Sequence, residues 1–208
     1  MISEINLPII MLAAFLSSIS PGPATLAIAS TSMSFGRKNG LALAAGIITG
    51  SWIWSISAAI GLGAIMMANT WLFEAIRYLG AAYLLFLAFK SAVSALNKKQ
   101  SAIKLTAVKS AKNAYIKGLM LHLTNPKAVL FFGSLFSLGV PKNAALESLV
   151  IVICAVGLQS FVIFFSYAIL FSNPKITAHY QKMRRGFEAV FAVFFSIAGI
   201  KILTSHLD

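Results

Sequence analysis

Acidic side chains are scarce in this sequence: five Asp and Glu stand against 17 Lys and Arg. Charge of either sign is also sparse, at 11% of 208 residues, where a soluble domain carries about 25%. Hydrophobic residues make up 59%. A soluble fold of this length could not hide so much apolar surface, because most of its residues would still touch water. Lipid is the solvent that fits. There is a single cysteine, Cys154, inside an apolar run. That excludes an internal disulfide and a cysteine metal cluster, and the expected role is a small buried hydrophobe. The sequence has no His-Glu-x-x-His, no Gly-x-Ser-x-Gly and no Walker loop. Its only Asp is Asp208, which excludes an intramembrane aspartyl enzyme. We therefore expect no enzyme, cofactor or metal site. Without a nucleotide site, uphill transport would draw on an ion gradient.

What is present is organised by charge. A net charge of +12 invites a nucleic-acid reading. The basic residues, however, collect in short segments between long apolar runs, as they do in cytoplasmic loops of membrane proteins. A spanning helix needs about 20 apolar residues. The runs are Ile5–Phe35, Gly40–Met67, Trp71–Leu96, Gly118–Val140, Leu149–Phe171 and Phe187–Leu203. The N-terminal run follows Glu4 rather than a basic leader, so it reads as a first span and not as a signal peptide. The loops after runs one, three and five hold Arg37 and Lys38, six lysines between Lys98 and Lys117, and the Lys175–Arg185 cluster. The expected topology has these loops in the cytoplasm and both termini outside.

The predicted fold is an all-α integral membrane domain over 1–208, with six transmembrane helices. The basic loop at about 97–113 divides it into halves of about 1–96 and 114–208, three spans each and opposite in orientation. One feature relates the halves. Span one carries Ser20-Pro21-Gly22-Pro23-Ala24, and span four carries Thr124-Asn125-Pro126-Lys127-Ala128. Proline lacks a backbone N–H and clashes with the carbonyl four residues back, so each segment should break its helix. Broken backbone survives at membrane depth only where protein or a wet cavity surrounds it. Matching breaks in two halves point to a transporter binding site.

The candidate substrate-binding residues follow from these breaks. Pro21, Gly22 and Pro23 expose the N-terminus of a half-helix, whose free N–H groups and dipole suit a carboxylate. Asn125, Pro126 and Lys127 form the second break. An ionised Lys127 costs about 2.5–3.5 kcal/mol at the bilayer centre, so it should bind a substrate carboxylate, titrate, or satisfy carbonyls freed by Pro126. His122 lies one turn earlier. His122 and Lys127 are the proton-coupling candidates. Gln159, mid-span, should bind substrate or a neighbouring helix. Ser51 and Trp54 follow Gly46 and Gly50, a small-xxx-small pair that permits close helix contact.

In order and spacing, these pieces resemble the lysine exporter superfamily, in its homoserine/threonine-resistance branch. The resemblance covers nearly the whole chain. It rests on Ser20–Ala24 followed by Gly36-Arg37-Lys38-Asn39-Gly40, on Leu79–Leu85, and on Asn125–Ala128 followed by Phe131-Phe132. It implies a bacterial inner-membrane exporter of amino acids or related zwitterions, driven by the proton-motive force. Many relatives place an ionisable residue just after the second glycine of span two. Here Ser51 stands there, which moves any proton carrier elsewhere. Metal export would need His, Asp or Cys clusters, and the three histidines His122, His179 and His206 are scattered. A non-transport membrane protein would not need two costly helix breaks. The expected partners are the small-molecule substrate and the bilayer, with a homodimer left open.

Overall fold

The computed structural model describes residues 5–20, 22–68, 70–97, 108–125, 127, 128, 131–133, 135 and 144–204. Among them all regular structure is helical. The helices are α1 (Leu7–Ile19), α2 (Pro23–Ala68), α3 (Thr70–Leu96), α4 (Ala111–Leu123), α5 (Leu146–Leu170) and α6 (Pro174–Thr204). Lys127, Ala128, Phe131–Gly133 and Leu135 are helical as well, beyond the second break.

The α2 segment is two helices in series. Gly36 interrupts it at φ 80°, ψ 167°, a conformation open to glycine and strained for other residues. The turn sits beside Arg37 and Lys38, where the sequence places the end of span one. Among the described residues two segments, Pro23–Gly61 and Leu146–Leu170, are long and apolar enough to cross a membrane. At 1.5 Å per residue the 25 residues of α5 reach about 37 Å, more than a hydrocarbon core of about 30 Å. Large apolar side chains such as Ile60, Phe89, Leu158 and Val193 are exposed, the surface that lipid accepts and water does not.

Helices extend further into the basic stretches than hydropathy suggests. The Lys175–Arg185 cluster, expected as a loop, lies within α6, whose first turn is capped by Asn173 Oδ1 accepting from Lys175 N at 3.0 Å. Likewise α4 starts at Ala111, inside the expected loop, where Ser110 Oγ accepts from Asn113 N at 3.2 Å. Lysine and arginine are good helix formers, so apolar runs mark where lipid begins and not where a helix does. Cys154 is also corrected: it is exposed on α5 rather than buried. An apolar run locates a residue in a span without saying which face it takes.

The principal pairings are α2 on α4, α3 on α6, α2 on α5 and α1 on α5. The α2–α4 contact is backbone on backbone. A Cβ added at Gly46 would collide with the Tyr115 carbonyl, and one at Gly118 with the Leu43 carbonyl. One turn further, Gly50 lies against the His122 ring. This crossing brings the second half of α2 onto the end of α4 just before the second break.

Candidate substrate-binding site

At the first break α1 ends at Ile19 and Ser20 turns extended, at φ −64°, ψ 133°. The helix restarts at Pro23, whose fixed φ suits a first helical position. Gly22 N donates to Thr25 Oγ1 at 3.0 Å, three residues on. Thr25 Oγ1 lies 3.3 Å from the Ser20 carbonyl and 3.2 Å from that of Gly22, within donating distance of either. This side chain, buried on α2, knits the two broken ends together. The carbonyls released by the break are also engaged. Tyr167 donates its hydroxyl to Ile19 O at 2.8 Å from α5.

The second break repeats the device with different residues. Thr124 closes α4 by donating its N–H to Met120 O at 3.0 Å. Asn125 then caps the restarting helix: its Oδ1 accepts from Lys127 N at 3.0 Å and its carbonyl from Ala128 N at 2.9 Å. Asn125 is buried, so the capping bond is shielded from water. Replacing it should therefore be costly.

The two breaks meet. Lys127 reaches across to the first break, donating from Nζ to Ser17 O at 3.2 Å and to Ser20 O at 3.4 Å. The lysine does satisfy stranded carbonyls, but those of Ser17 and Ser20 in the other half of the chain, not ones left by Pro126. Behind it, His122 Nε2 and Ser51 Oγ lie 3.0 Å apart, while Ser51 Oγ also donates to Ile47 O at 3.2 Å. With the Ser51 proton on Ile47, Nε2–H is the donor to Ser51 and Nδ1 is the bare acceptor. His122 Nδ1 is buried and has no partner among the described residues.

Between the breaks lies a partly open cavity. Ser17, Ser20, Gly22, Pro23 and Thr25 line it from the first break, and His122, Asn125 and Lys127 from the second. Ser51 and Ser160 add hydroxyls, and Phe131, Phe132, Val156 and Phe164 form an apolar wall. The described lining contains no carboxylate.

Six of the expected site residues thus share one cavity: Gly22, Pro23, Ser51, His122, Asn125 and Lys127. Trp54 is set behind it, with its indole Nε1 3.4 Å from the His122 carbonyl. Gln159 is an interhelical tie, donating from Nε2 to Met11 O on α1 at 3.0 Å. Pro21 and Pro126 lie outside the described residues. The structure adds Thr25, Ser160 and Glu188 to the residues that the sequence singles out. Glu188 is 4% exposed on α6, accepts from Ser94 Oγ of α3 at 2.9 Å, and lies within Coulombic range of Lys127. An acid inside an apolar run was the available signal.

The pattern of the LysE type translocators matches residues 15–206. The chain belongs to this family. It is 30% identical to the threonine efflux protein of Salmonella typhimurium over 190 residues, which cover 90% of this chain and 92% of that one. Its identity to the threonine efflux protein of Escherichia coli K12 is 29% over the same shares. The leucine efflux protein of Klebsiella pneumoniae is 32% identical over 166 residues, 79% of this chain and 77% of that one. No solved structure matches. Family membership makes the chain a membrane translocator, which moves a solute without transforming it, and so not an enzyme.

Proposed function

We propose that this protein is a secondary exporter of small neutral amino acids, of the threonine and leucine class that its relatives are named for. One observation carries the reading: a single cavity collects both helix breaks. The first turn of α2, with Ala24 and Thr25 at the cavity wall, offers the positive end of the helix dipole to the substrate carboxylate. Aromatic rings and Val156 suit an apolar side chain, and serine hydroxyls suit a polar one. A cationic side chain would find Lys127 and no carboxylate in the described lining, which disfavours lysine or arginine as cargo.

In this reading the chain has six spans arranged as two inverted halves. The matched breaks support it, as does the packing. Exchanging the halves turns the α1–α5 contact into the α4–α2 contact and returns the α3–α6 and α2–α5 contacts to themselves. The halves rock about the cavity, with the basic segments on the cytoplasmic side, both termini outside and the proton gradient as the source of energy.

Everted membrane vesicles test the function. Labelled threonine or leucine should accumulate inside them when the gradient is applied and only when the protein is present, with lysine excluded. Equal accumulation with and without the protein, for every neutral amino acid tried, would overturn the reading. Topology has a separate test in a Cys154→Ser background. Cysteines placed at the exposed Lys112 and Lys182 should react with an impermeant maleimide in everted vesicles and not in intact cells. The opposite labelling would reverse the orientation.

A further inference from the structure

The Lys127 ammonium occupies a site that is itself a receptor for ammonium. Ser17 O and Ser20 O belong to the C-terminal end of α1, where helical carbonyls lack partners and carry partial negative charge. They are acceptors only, so a cation with several N–H donors is the matching ligand. The lysine tip also lies over the first break. A Cβ built on Gly22 would sit 3.3 Å from Nζ and 3.4 Å from Cδ. The side chain therefore covers the backbone of the gap as well as its carbonyls. A free α-amino acid carries a primary ammonium of the same kind. Its carboxylate would lie toward the first turn of α2, and the unpartnered Nδ1 of His122, a side chain 5% exposed, lines the same cavity.

We propose that the Ser17 and Ser20 carbonyls are the subsite for the ammonium group of the transported amino acid, and that Lys127 is its tethered competitor. This rests on the amino-acid export reading above and deepens it. A charge-assisted hydrogen bond is roughly twice as strong as a neutral one, so the lysine competes well only while protonated. When substrate enters from the cytoplasm, an Nζ–H bond of Lys127 breaks, the proton passes to water in the inner vestibule, and the substrate ammonium takes the carbonyls. After release outside, the Lys127 amine takes a proton from external water and returns to Ser17 and Ser20. One proton enters for each amino acid that leaves, and nothing is oxidised or reduced. Competition between proton and substrate is the sign that antiport requires; a site binding both together would drive uptake instead.

Titratable and charged groups lie on several of the elements around Lys127. His122 lines the same cavity from α4, and Glu188 on α6 and Lys90 on α3 lie within Coulombic range. On α5, Tyr167 holds the adjacent Ile19 carbonyl. The described part of α1 carries no charged side chain, and α2 carries only Arg37 and Lys38, at the Gly36 turn.

The test uses the purified full chain in proteoliposomes with labelled L-threonine, in the pH range where threonine remains a zwitterion. The wild-type apparent affinity should weaken as pH falls, approaching about tenfold per unit below the pH at which Lys127 titrates. Lys127→Gln should bind threonine more tightly than wild type at low pH, with an affinity that no longer varies with pH, and should lose accumulation driven by the pH gradient. A wild-type affinity that is flat or tightens as pH falls overturns the proposal, whether or not the variant folds. So does a folded Lys127→Gln that binds threonine more weakly than wild type at every pH, which would make the lysine a carboxylate partner. Wild-type protein that exchanges no amino acid at any pH sinks the export reading itself, and is distinguishable from both.

Discussion

Gly46→Leu is expected to leave almost no monodisperse protein in detergent, at a cost above about 4 kcal/mol. Even an alanine Cβ at this position would lie 2.8 Å from Leu119 N and 2.9 Å from the Tyr115 carbonyl carbon, besides colliding with the carbonyl oxygen. Those neighbours are backbone, and they cannot rotate away as the end of a side chain could. Helices α2 and α4 would have to separate, which pulls Gly50 off the His122 ring and Ser51 off its Nε2. The cavity wall would then fail together with the fold. Gly61→Ala is the matched control. Nothing lies within 4 Å of a Cβ there, and alanine is the better helix former by about 1 kcal/mol. Size-exclusion profiles and thermal unfolding of the two variants decide the matter. A Gly46→Leu protein as stable as Gly61→Ala would show that α2 and α4 do not cross at Gly46.

Asn125→Ala should fold and yet transport at least about tenfold more slowly, because small displacements at a binding site are expensive in rate. The substitution removes the Oδ1 that holds Lys127 N at 3.0 Å. A lost cap costs about 1–2 kcal/mol, which a protein of this size tolerates. The positional effect is larger. Lys127 is the second residue of the capped turn, and its side chain spans the gap to Ser17 and Ser20. Unfastening the turn lets the whole side chain shift. Asn125→Ser keeps an oxygen acceptor at the cap and should recover most of the rate. Exchange of labelled threonine in proteoliposomes measures both. Equal rates for Asn125→Ala and wild type would show that the cap does not position the site.

Much of the site was legible in the sequence because proline breaks are local events. Ser20–Ala24 and Thr124–Ala128 announce a loss of helix from their own composition. The Gly46, Gly50 spacing likewise announced a close crossing, and it fell where Ser51 and His122 meet. What stayed hidden depends on residues far apart in the chain. The acceptors of Lys127 lie about 110 residues earlier in the other half, so local sequence suggested the carbonyls beside Pro126 instead. Glu188 is a lone acid near the start of the run Phe187–Leu203, and nothing in its neighbours along the chain says what covers it. Only the packing of α6 on α3 buries it beneath Ser94. Gln159 and Cys154 show the same limit. Both sit in one apolar run, yet one faces α1 and the other faces outward.

Each polar contact at the first break pairs a side chain of Lys127, Tyr167 or Thr25 with a main-chain group: the carbonyls of Ser17, Ile19 and Ser20 and the N–H of Gly22. Main-chain groups are present whatever the side chain, so point substitution does not readily erase them. The apolar wall of Phe131, Phe132, Val156 and Phe164 has no such protection. Descendants of an ancestral gene could therefore exchange one cargo for another by altering that wall alone. Resistance to toxic amino-acid analogues could arise along the same route, in a few mutational steps and without rebuilding the grip on the zwitterion.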